Sequence, residues 1–192
     1  MYDPKRIHKV CAHIARHFTE KVKPNGYKGQ VVVYDRECCL KYKEELDKLL
    51  GTKASTIVMD TNDDKQDKYK LYRRSKDEEA KVLDRFRDPH DPLQLVIVTS
   101  KLLTGFDAPI LQVMYLDKPM KDHTLLQAIC RTNRTYDEGK TSGLIVDYIG
   151  IFDNVAKALN FDEAGMKKIV TNIEEVKKKV PALLKKCLSY FM

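Results

Sequence analysis

Five short runs rich in β-branched residues alternate with longer segments whose apolar residues recur at helical spacing. This alternation restricts the fold more than any other feature of the chain. The runs are 31–34, 56–59, 94–99, 112–116 and 143–146. Strands that lead into helices in this order form βαβ units, in which parallel strands make one sheet and helices cover both of its faces. The sequence therefore predicts an α/β fold with a mostly parallel sheet in a three-layer domain.

The helices between these runs have recognisable ends. The first covers 4–22 and is stopped by the turn signal Pro24-Asn-Gly26. The second ends at Gly51, the third stops at Asp88, and a fourth covers about 122–133. The first helix precedes the first predicted strand, and no helix is predicted between the strands at 94–99 and 112–116.

The segment 60–75 is almost entirely charged or polar, so we predict a surface loop or a partly disordered insertion there. Its basic pattern, Lys68-x-Lys70-x-x-Arg73-Arg74, has two interpretations. One is a nucleic-acid patch, and the other, commoner for such runs of charge, is a solvated face. The sequence leaves both open.

Beyond residue 150 the pattern is helical to the end of the chain, with one apolar stripe over 166–180 and a break at Pro181. We therefore predict two domains, a sheet domain over 1–160 and a helical appendage over 161–192. Whether the appendage packs on the sheet domain or on other parts of a larger protein stays open.

Composition excludes several classes of protein. No apolar run approaches the ~20 residues that cross a membrane, and residues 1–22 lack the pattern of a signal peptide, so we expect a cytoplasmic protein without membrane contact. The 5 cysteines include no C-x-x-C pair, which favours reduced, buried thiols over a metal site or disulfides. The net charge of +7 is weak support for a polyanionic partner.

The first of two chemically informative motifs is Thr99-Ser-Lys-Leu-Leu-Thr-Gly-Phe-Asp-Ala-Pro109, which follows the third predicted strand. Gly105 permits a left-handed backbone conformation or the close approach of a ligand to the backbone N–H. Asp107 can accept hydrogen bonds from sugar hydroxyls. Alone, this is only a turn at the end of a strand. Because ligands of open α/β sheets bind beyond the carboxyl ends of the strands, we expect a site at that edge.

The second motif is Gln127-Ala-Ile-Cys-Arg-Thr-Asn-Arg134, in the fourth predicted helix. Gln127, Arg131 and Arg134 are spaced i, i+4 and i+7, so they project from one side. Two permanently charged guanidinium groups at a fixed separation suit a triphosphate whose γ-phosphoryl oxygens gain charge. An arginine pair on an arbitrary helix is usually solvated, but the neighbouring first motif favours a polyanionic, ribose-bearing ligand such as ATP.

These two motifs resemble motifs V and VI of superfamily 2 helicases, the second being close to Q-x-x-G-R-x-x-R. The match narrows to the motor (R) subunit of type I restriction enzymes, through four segments: Leu102-Leu-Thr-Gly-Phe-Asp-Ala-Pro109, Tyr115-Leu-Asp-Lys-Pro119, His123-Thr-Leu-Leu-Gln127 and Gly143-Leu-Ile-Val-Asp-Tyr148. Val31-Val-Val-Tyr-Asp-Arg36 stands where that family has motif IV. The resemblance covers about 3–160 and departs from the superfamily pattern at Cys130, where glycine is usual.

The resemblance implies the second RecA-like lobe of an ATP-dependent DNA translocase, with ATP and Mg²⁺ bound between two lobes. It implies that Arg134 is the arginine finger, with Arg131 beside it on the phosphates or bridging to the opposite lobe. Gly105, Asp107 and Gln127 are implied contacts to ATP. The first lobe, which belongs to the same native chain, would hold most of the metal's ligands, so no metal ligand is assigned here.

The resemblance also implies contacts to the DNA phosphate backbone from Thr99 and Arg36. The implied partners are double-stranded DNA and the methylase and specificity subunits of the restriction complex. Gly139-Lys-Thr141 mimics the end of a P-loop, but Arg134 stands where the first glycine is required. Since the segment has no Walker A loop, Asp-Glu box or nuclease cluster, we expect it not to hydrolyse ATP alone.

Two alternatives remain. One is the corresponding lobe of another superfamily 2 DNA or RNA helicase, although the residues over 102–109 and 115–119 argue against it. The other is a nucleic-acid-binding or docking module that keeps the RecA-like fold without a motor.

Overall fold

The computed structural model describes residues 2–60, 67–103, 105–120, 125 and 129–151. The sheet has 5 parallel strands in the order β2-β3-β1-β4-β5. The strands are β1 (Lys28–Val33), β2 (Ser55–Ile57), β3 (Leu95–Val98), β4 (Leu111–Asp117) and β5 (Leu144–Asp147). This topology confirms the predicted α/β fold with a parallel sheet.

Among the described residues, α1 (Pro4–His17) precedes β1, α2 (Arg36–Leu50) connects β1 to β2, and α3 (Lys76–Arg87) lies between β2 and β3. The predicted first helix is therefore shorter, because α1 passes into a π-helical turn over Phe18–Val22 before the chain reaches β1. Half of the predicted helix over 122–133 lies outside the described residues, as do Gln127 and the appendage over 161–192, and the described residues 125 and 129–132 are helical. Of two compact units, the first ends at Ile149, and the predicted boundary at residue 160 stays a prediction.

The helices lie on both faces of the sheet. On one face, a Cβ added to Gly29 of β1 would lie 3.4 Å from the Phe18 ring, so α1 and its π-helical turn pack closely there. On the other face, the adjacent residue Lys28 is buried and its Nζ donates to the carbonyl of Arg85 in α3. Successive strand residues point to opposite faces, so α1 and α3 lie on opposite sides of β1.

The charged segment 60–75 differs from its predicted loop, because Asp67–Tyr72 forms a 3₁₀-helix. Its anchor is Tyr69, which is buried and lies under the Arg36 guanidinium at 5.3 Å from the ring centroid. A single aromatic residue thus orders part of a segment whose average composition is polar. Of its basic side chains, Arg74 is structural, since its Nη1 donates to the Ile57 carbonyl at 2.6 Å.

A buried carboxylate joins the helices to the end of β4. Asp117 is 3% exposed and accepts hydrogen bonds from Arg6 of α1 and Tyr42 of α2. The interaction with Asp117 raises the pKa of Arg6 above its ordinary value, so the guanidinium stays charged. This cluster fixes α1 and α2 at the carboxyl edge of the sheet.

The described cysteines are free thiols, of which Cys11, Cys38 and Cys39 are buried and Cys130 is exposed. Burial raises the pKa of Cys11 and Cys39 to about 12, so these two thiols stay protonated. Within the described part of the chain, no helix is long and apolar enough to cross a membrane.

Candidate nucleotide site

The segment 99–110, which contains the first motif (99–109), connects the end of β3 to the start of β4. It leaves the carboxyl end of β3, and because β3 and β4 are both parallel to β1, it must return to the amino edge before β4 begins. Asp107 stands just before β4, and its carbonyl accepts from Arg87 Nε at 2.9 Å, at the end of α3 that leads to β3. Asp107 therefore lies at the amino edge, and the expectation of a site beyond the carboxyl ends is wrong for this residue.

The backbone of this segment twice adopts a left-handed conformation. Gly105 has φ +70°, and an added Cβ would meet nothing within 4 Å. The glycine is therefore needed for its backbone conformation and not for a close approach of another group. Leu102 has φ 68° with a buried side chain. Such a conformation costs an ordinary residue roughly 1–2 kcal/mol, so the surrounding contacts must hold it in place.

Arg131 supplies part of that support. Its Nη1 donates to the Phe106 carbonyl at 2.7 Å and its Nε donates to the Leu103 carbonyl at 3.4 Å. The two carbonyls flank Gly105 in sequence, so one guanidinium group holds the turn from both sides. Arg131 and the first motif are thus in direct contact, whereas the predicted contact of Arg131 with phosphates or with the opposite lobe stays a prediction.

Arg134 reaches the same segment but contacts a side chain. Its Nη1 lies 2.8 Å from Asp107 Oδ1, and the two side chains are 45% and 57% exposed. Ion pairs this accessible to solvent contribute about 0–1 kcal/mol, so the pair is easily exchanged for another anion. The structure therefore brings Gly105, Asp107, Arg131 and Arg134 together, whereas Gln127 lies outside the described residues.

A buried lysine that sequence reasoning treated only as part of an incomplete P-loop lies beneath this site. Lys140 is 1% exposed, and its Nζ donates to the carbonyl of Arg134 at 2.7 Å and to that of Pro109. Burial lowers the pKa of Lys140 to about 8, partly offset by the charge of Asp137. The sequence does not indicate that Lys140 is buried, because the two carbonyl groups that accept from its Nζ belong to separate segments of the chain.

The predicted DNA contacts lie at the opposite edge of the sheet. Thr99 follows the end of β3, and Arg36 begins α2, just after β1. Two lysines missed by sequence reasoning are placed beside them: Lys118 Nζ donates to the Thr99 carbonyl at 3.2 Å, and Lys101 pairs with Asp60 at 2.9 Å. Their position directly after predicted strands is the signal that could have identified them.

In the part of the chain that the structure describes, no group of three or more His, Cys, Asp or Glu side chains could hold a metal ion. The chemistry available at the amino edge is therefore that of two guanidinium groups, one exposed carboxylate and a strained turn. These groups can bind an anion and a hydroxyl-bearing ligand next to each other.

Comparison with known proteins adds three findings. Residues 8–150 match the family model of type I restriction enzyme subunit R domain 3. Over 187 residues the chain is 35% identical to a Methanocaldococcus jannaschii protein described as the MjaIXP endonuclease subunit of a type I restriction enzyme. That alignment covers 96% of this chain and 18% of the relative, so the chain spans less than a fifth of the relative's length.

Two solved structures share the fold. A fragment described as the HsdR subunit of a type I restriction enzyme from Vibrio vulnificus has a TM-score of 0.54 at 20% identity, covering 78% of this chain and 29% of that one. The Mycobacterium smegmatis helicase Lhr, solved with ssDNA and AMP-PNP, has a TM-score of 0.52 at 16% identity, covering 72% and 16%. At these identities the likeness concerns the fold, which is RecA-like. Because the family model matches well over half of its residues, this chain belongs to the family of type I restriction enzyme R subunits.

Proposed function

We propose that this chain is the second RecA-like lobe of an ATP-driven DNA translocase within a type I restriction endonuclease. The observation that carries the proposal is the exposed pair of Arg134 and Asp107 on a turn that Arg131 holds in place. Among the described residues, the Arg134 guanidinium pairs with one exposed carboxylate, so it is available to another anion. Membership of the R-subunit family makes ATP the natural candidate.

Arg134 acts in this proposal as the arginine finger. When ATP enters between the lobes, its γ-phosphate replaces Asp107 as the partner of Arg134, and the freed carboxylate accepts from a ribose hydroxyl. An arginine finger contributes roughly 10³–10⁵ in turnover, because it stabilises the charge that builds on the phosphoryl oxygens in the transition state. The exchange is favourable because the exposed pair contributes so little by itself.

Arg131 has a supporting part. Two of its nitrogens bind carbonyls of the turn, so we infer that it shapes the loop carrying Gly105 and Asp107 while Arg134 reaches the phosphate. A contact of Arg131 with the phosphates or with the opposite lobe is compatible with this, since a guanidinium group has five donors. Gln127, in the same motif, is proposed as a further contact to ATP.

The DNA contacts are proposed at the carboxyl edge. Thr99 and Arg36 bind phosphates there, and Lys101 and Lys118 add positive charge beside them. Backbone contacts of this kind recognise DNA without reading its sequence. The Lhr structure, with ssDNA and AMP-PNP bound, supports the ability of this fold to bind both kinds of ligand.

The proposed partners are the first RecA-like lobe, which would supply the phosphate loop and most of the Mg²⁺ ligands, and the methylase and specificity subunits. DNA translocation would follow from closure of the two lobes on ATP and their opening after hydrolysis. Because the sequence has no Walker A loop and no Asp-Glu box, we propose that the isolated chain does not hydrolyse ATP. DNA-stimulated ATP hydrolysis by the purified chain would contradict this.

The proposal is tested with Arg134→Ala in the complete protein that carries this sequence. ATP turnover in the presence of double-stranded DNA should fall by roughly 10³-fold or more. The matched control is Arg85→Ala, because Arg85 is also an exposed arginine in an ion pair, but its partner is Asp91 at 2.9 Å and not a residue of the turn. If Arg134→Ala hydrolyses ATP at nearly the wild-type rate, Arg134 is not the arginine finger. DNA binding without any ATP turnover in the wild-type protein would favour the module without a motor.

A further inference from the structure

We propose that Lys140 is a positioning residue that fastens the two nucleotide-contacting segments, 99–110 and 129–134, to each other. Its ammonium group donates to the Arg134 carbonyl at 2.7 Å and to the Pro109 carbonyl. Pro109 follows Asp107 by two residues, and Arg134 is the finger of the proposed function, on which this inference rests. One side chain thus binds the backbone of Arg134 and that of Pro109, two residues after the ion-pair partner of Arg134.

Burying the Lys140 ammonium group costs free energy, and its hydrogen bonds to the two segments offset that cost. An ammonium group removed from water is strongly destabilised unless hydrogen bonds replace its hydration. Lys140 is 1% exposed, and two carbonyls from separate segments accept from it. Packing alone would be served equally well by an apolar side chain, whereas joining two carbonyl groups requires a donor with more than one hydrogen.

The backbone of Lys140 is also held in place by hydrogen bonds. The Asp137 carboxylate accepts from the backbone N–H of Lys140 at 2.8 Å and from the Tyr27 hydroxyl at 2.6 Å, just before β1. The hydrogen bond from Tyr27 lowers the pKa of Asp137, so the carboxylate stays ionised as an acceptor. The turn that carries Lys140 is therefore tied to the central strand of the sheet.

A second contact holds the end of the arginine-bearing segment. A Cβ added to Gly143 would lie 2.3 Å from the carbonyl carbon of Thr132, so the backbones touch there and only glycine fits. The Gly143 N–H also donates to Asn133 Oδ1 at 3.2 Å. Lys140 and Gly143 together fix the residues around Arg134, and Lys140 alone extends the link to Pro109.

Lys28 provides a matched control within the same sheet. It is also buried at the amino edge, and its Nζ donates to the carbonyls of Arg85, Asp91 and Leu93. These acceptors belong to α3 and the turn before β3, so Lys28 makes the same kind of link without joining the proposed nucleotide contacts. Comparing the two lysines separates positioning from general stabilisation.

The experiment compares Lys140→Met, Lys140→Arg and Lys28→Met in the complete protein, at a temperature where all three are folded. Lys140→Met should lower kcat for ATP by about 10²-fold, because a displacement of about 1 Å in a catalytic group has effects of that size. KM for ATP should change much less than kcat. Lys140→Arg should recover most of the turnover, and Lys28→Met should stay within about twofold of the wild type. If Lys140→Met does not fold, Lys140→Gln, which keeps an amide donor, replaces it with the same direction of effect.

Hydrogen exchange gives a readout independent of activity. Lys140→Met should increase exchange in the described parts of 99–110 and of 129–134 together, whereas Lys28→Met should increase it around 85–95. Equal losses of turnover in Lys140→Met and Lys28→Met, or unchanged exchange in either segment, would overturn the positioning role. If Arg134→Ala leaves turnover unchanged, the proposed function fails, while the exchange result still decides whether Lys140 joins the two segments.

Discussion

The two edges of the sheet hold their functional residues by different means. At the amino edge, cationic side chains bind backbone carbonyls, as Arg131 and Lys140 do, so the geometry of the turn and of Arg134 is set by the main chain. At the carboxyl edge, the exposed Lys68 and the half-buried Lys101 form ion pairs with carboxylate side chains, although Lys118 donates to a backbone carbonyl. The first arrangement suits a catalytic side chain whose position must be exact. The second suits the binding of DNA at many positions along its backbone.

The largest expected effect concerns the buried anchor of the carboxyl edge, Asp117. Arg6→Met leaves this carboxylate without its charged partner, and breaking a buried pair typically costs 3–5 kcal/mol. Since the Arg6 side chain is 32% exposed, we expect about 3 kcal/mol loss in the free energy of unfolding. Urea denaturation of the chain measures it.

Lys48→Ala is the control for this measurement, because Lys48 forms only exposed pairs with Glu44 and Glu45. It should change the free energy of unfolding by less than about 1 kcal/mol. Similar losses in both variants would show that the carboxyl edge has no special buried anchor.

The strained turn of the amino edge gives a smaller effect on stability and a larger one on activity. Gly105→Ala places a Cβ at φ +70°, which should cost roughly 1–2 kcal/mol or displace the turn. ATP turnover of the complete protein should fall, whereas DNA affinity should not change. An unaltered turnover with normal stability would show that the left-handed backbone at Gly105 is dispensable.

The buried lysine predicts a pH dependence with a definite sign. The pKa of Lys140 is about 8 in the folded chain and 10.5 as its ordinary value, so between these values the unfolded chain binds more protons. The free energy of unfolding of the wild type, relative to Lys140→Met, should therefore rise as the pH increases from about 8 to 10.5 and be constant below pH 8. A relative stability that falls over this range would mean that the amine is better stabilised as a cation than its burial indicates.

The smallest effect concerns the salt dependence of DNA binding by the complete protein. Arg36→Ala should reduce the slope of log affinity against log salt concentration by about 1, since one phosphate contact is lost. Arg134→Ala, at the other edge, should leave the slope unchanged. A reduced slope for Arg134 and not for Arg36 would reverse the assignment of the edges.

The sequence predicts the order of the elements well, because local periodicity determines where strands and helices form. It does not predict the 3₁₀-helix at Asp67–Tyr72, which makes contacts with residues distant in sequence, such as Tyr69 with Arg36 and Lys68 with Glu37. The edge at which Asp107 lies depends on the direction of β4 relative to β3, which is a property of the sheet. In the sequence, Lys140 resembles an ordinary surface lysine, because its burial depends on carbonyl groups from two other segments of the chain.

The central claim is that the amino edge serves ATP and the carboxyl edge serves DNA. The most direct test measures ATP turnover at saturating double-stranded DNA, and DNA affinity, for Arg134→Ala and Arg36→Ala in the complete protein. The account predicts that Arg134→Ala lowers turnover by roughly 10³-fold or more with normal DNA affinity, and that Arg36→Ala weakens DNA binding with normal turnover. Equal losses of both properties in the two variants, or normal turnover in Arg134→Ala, would contradict it.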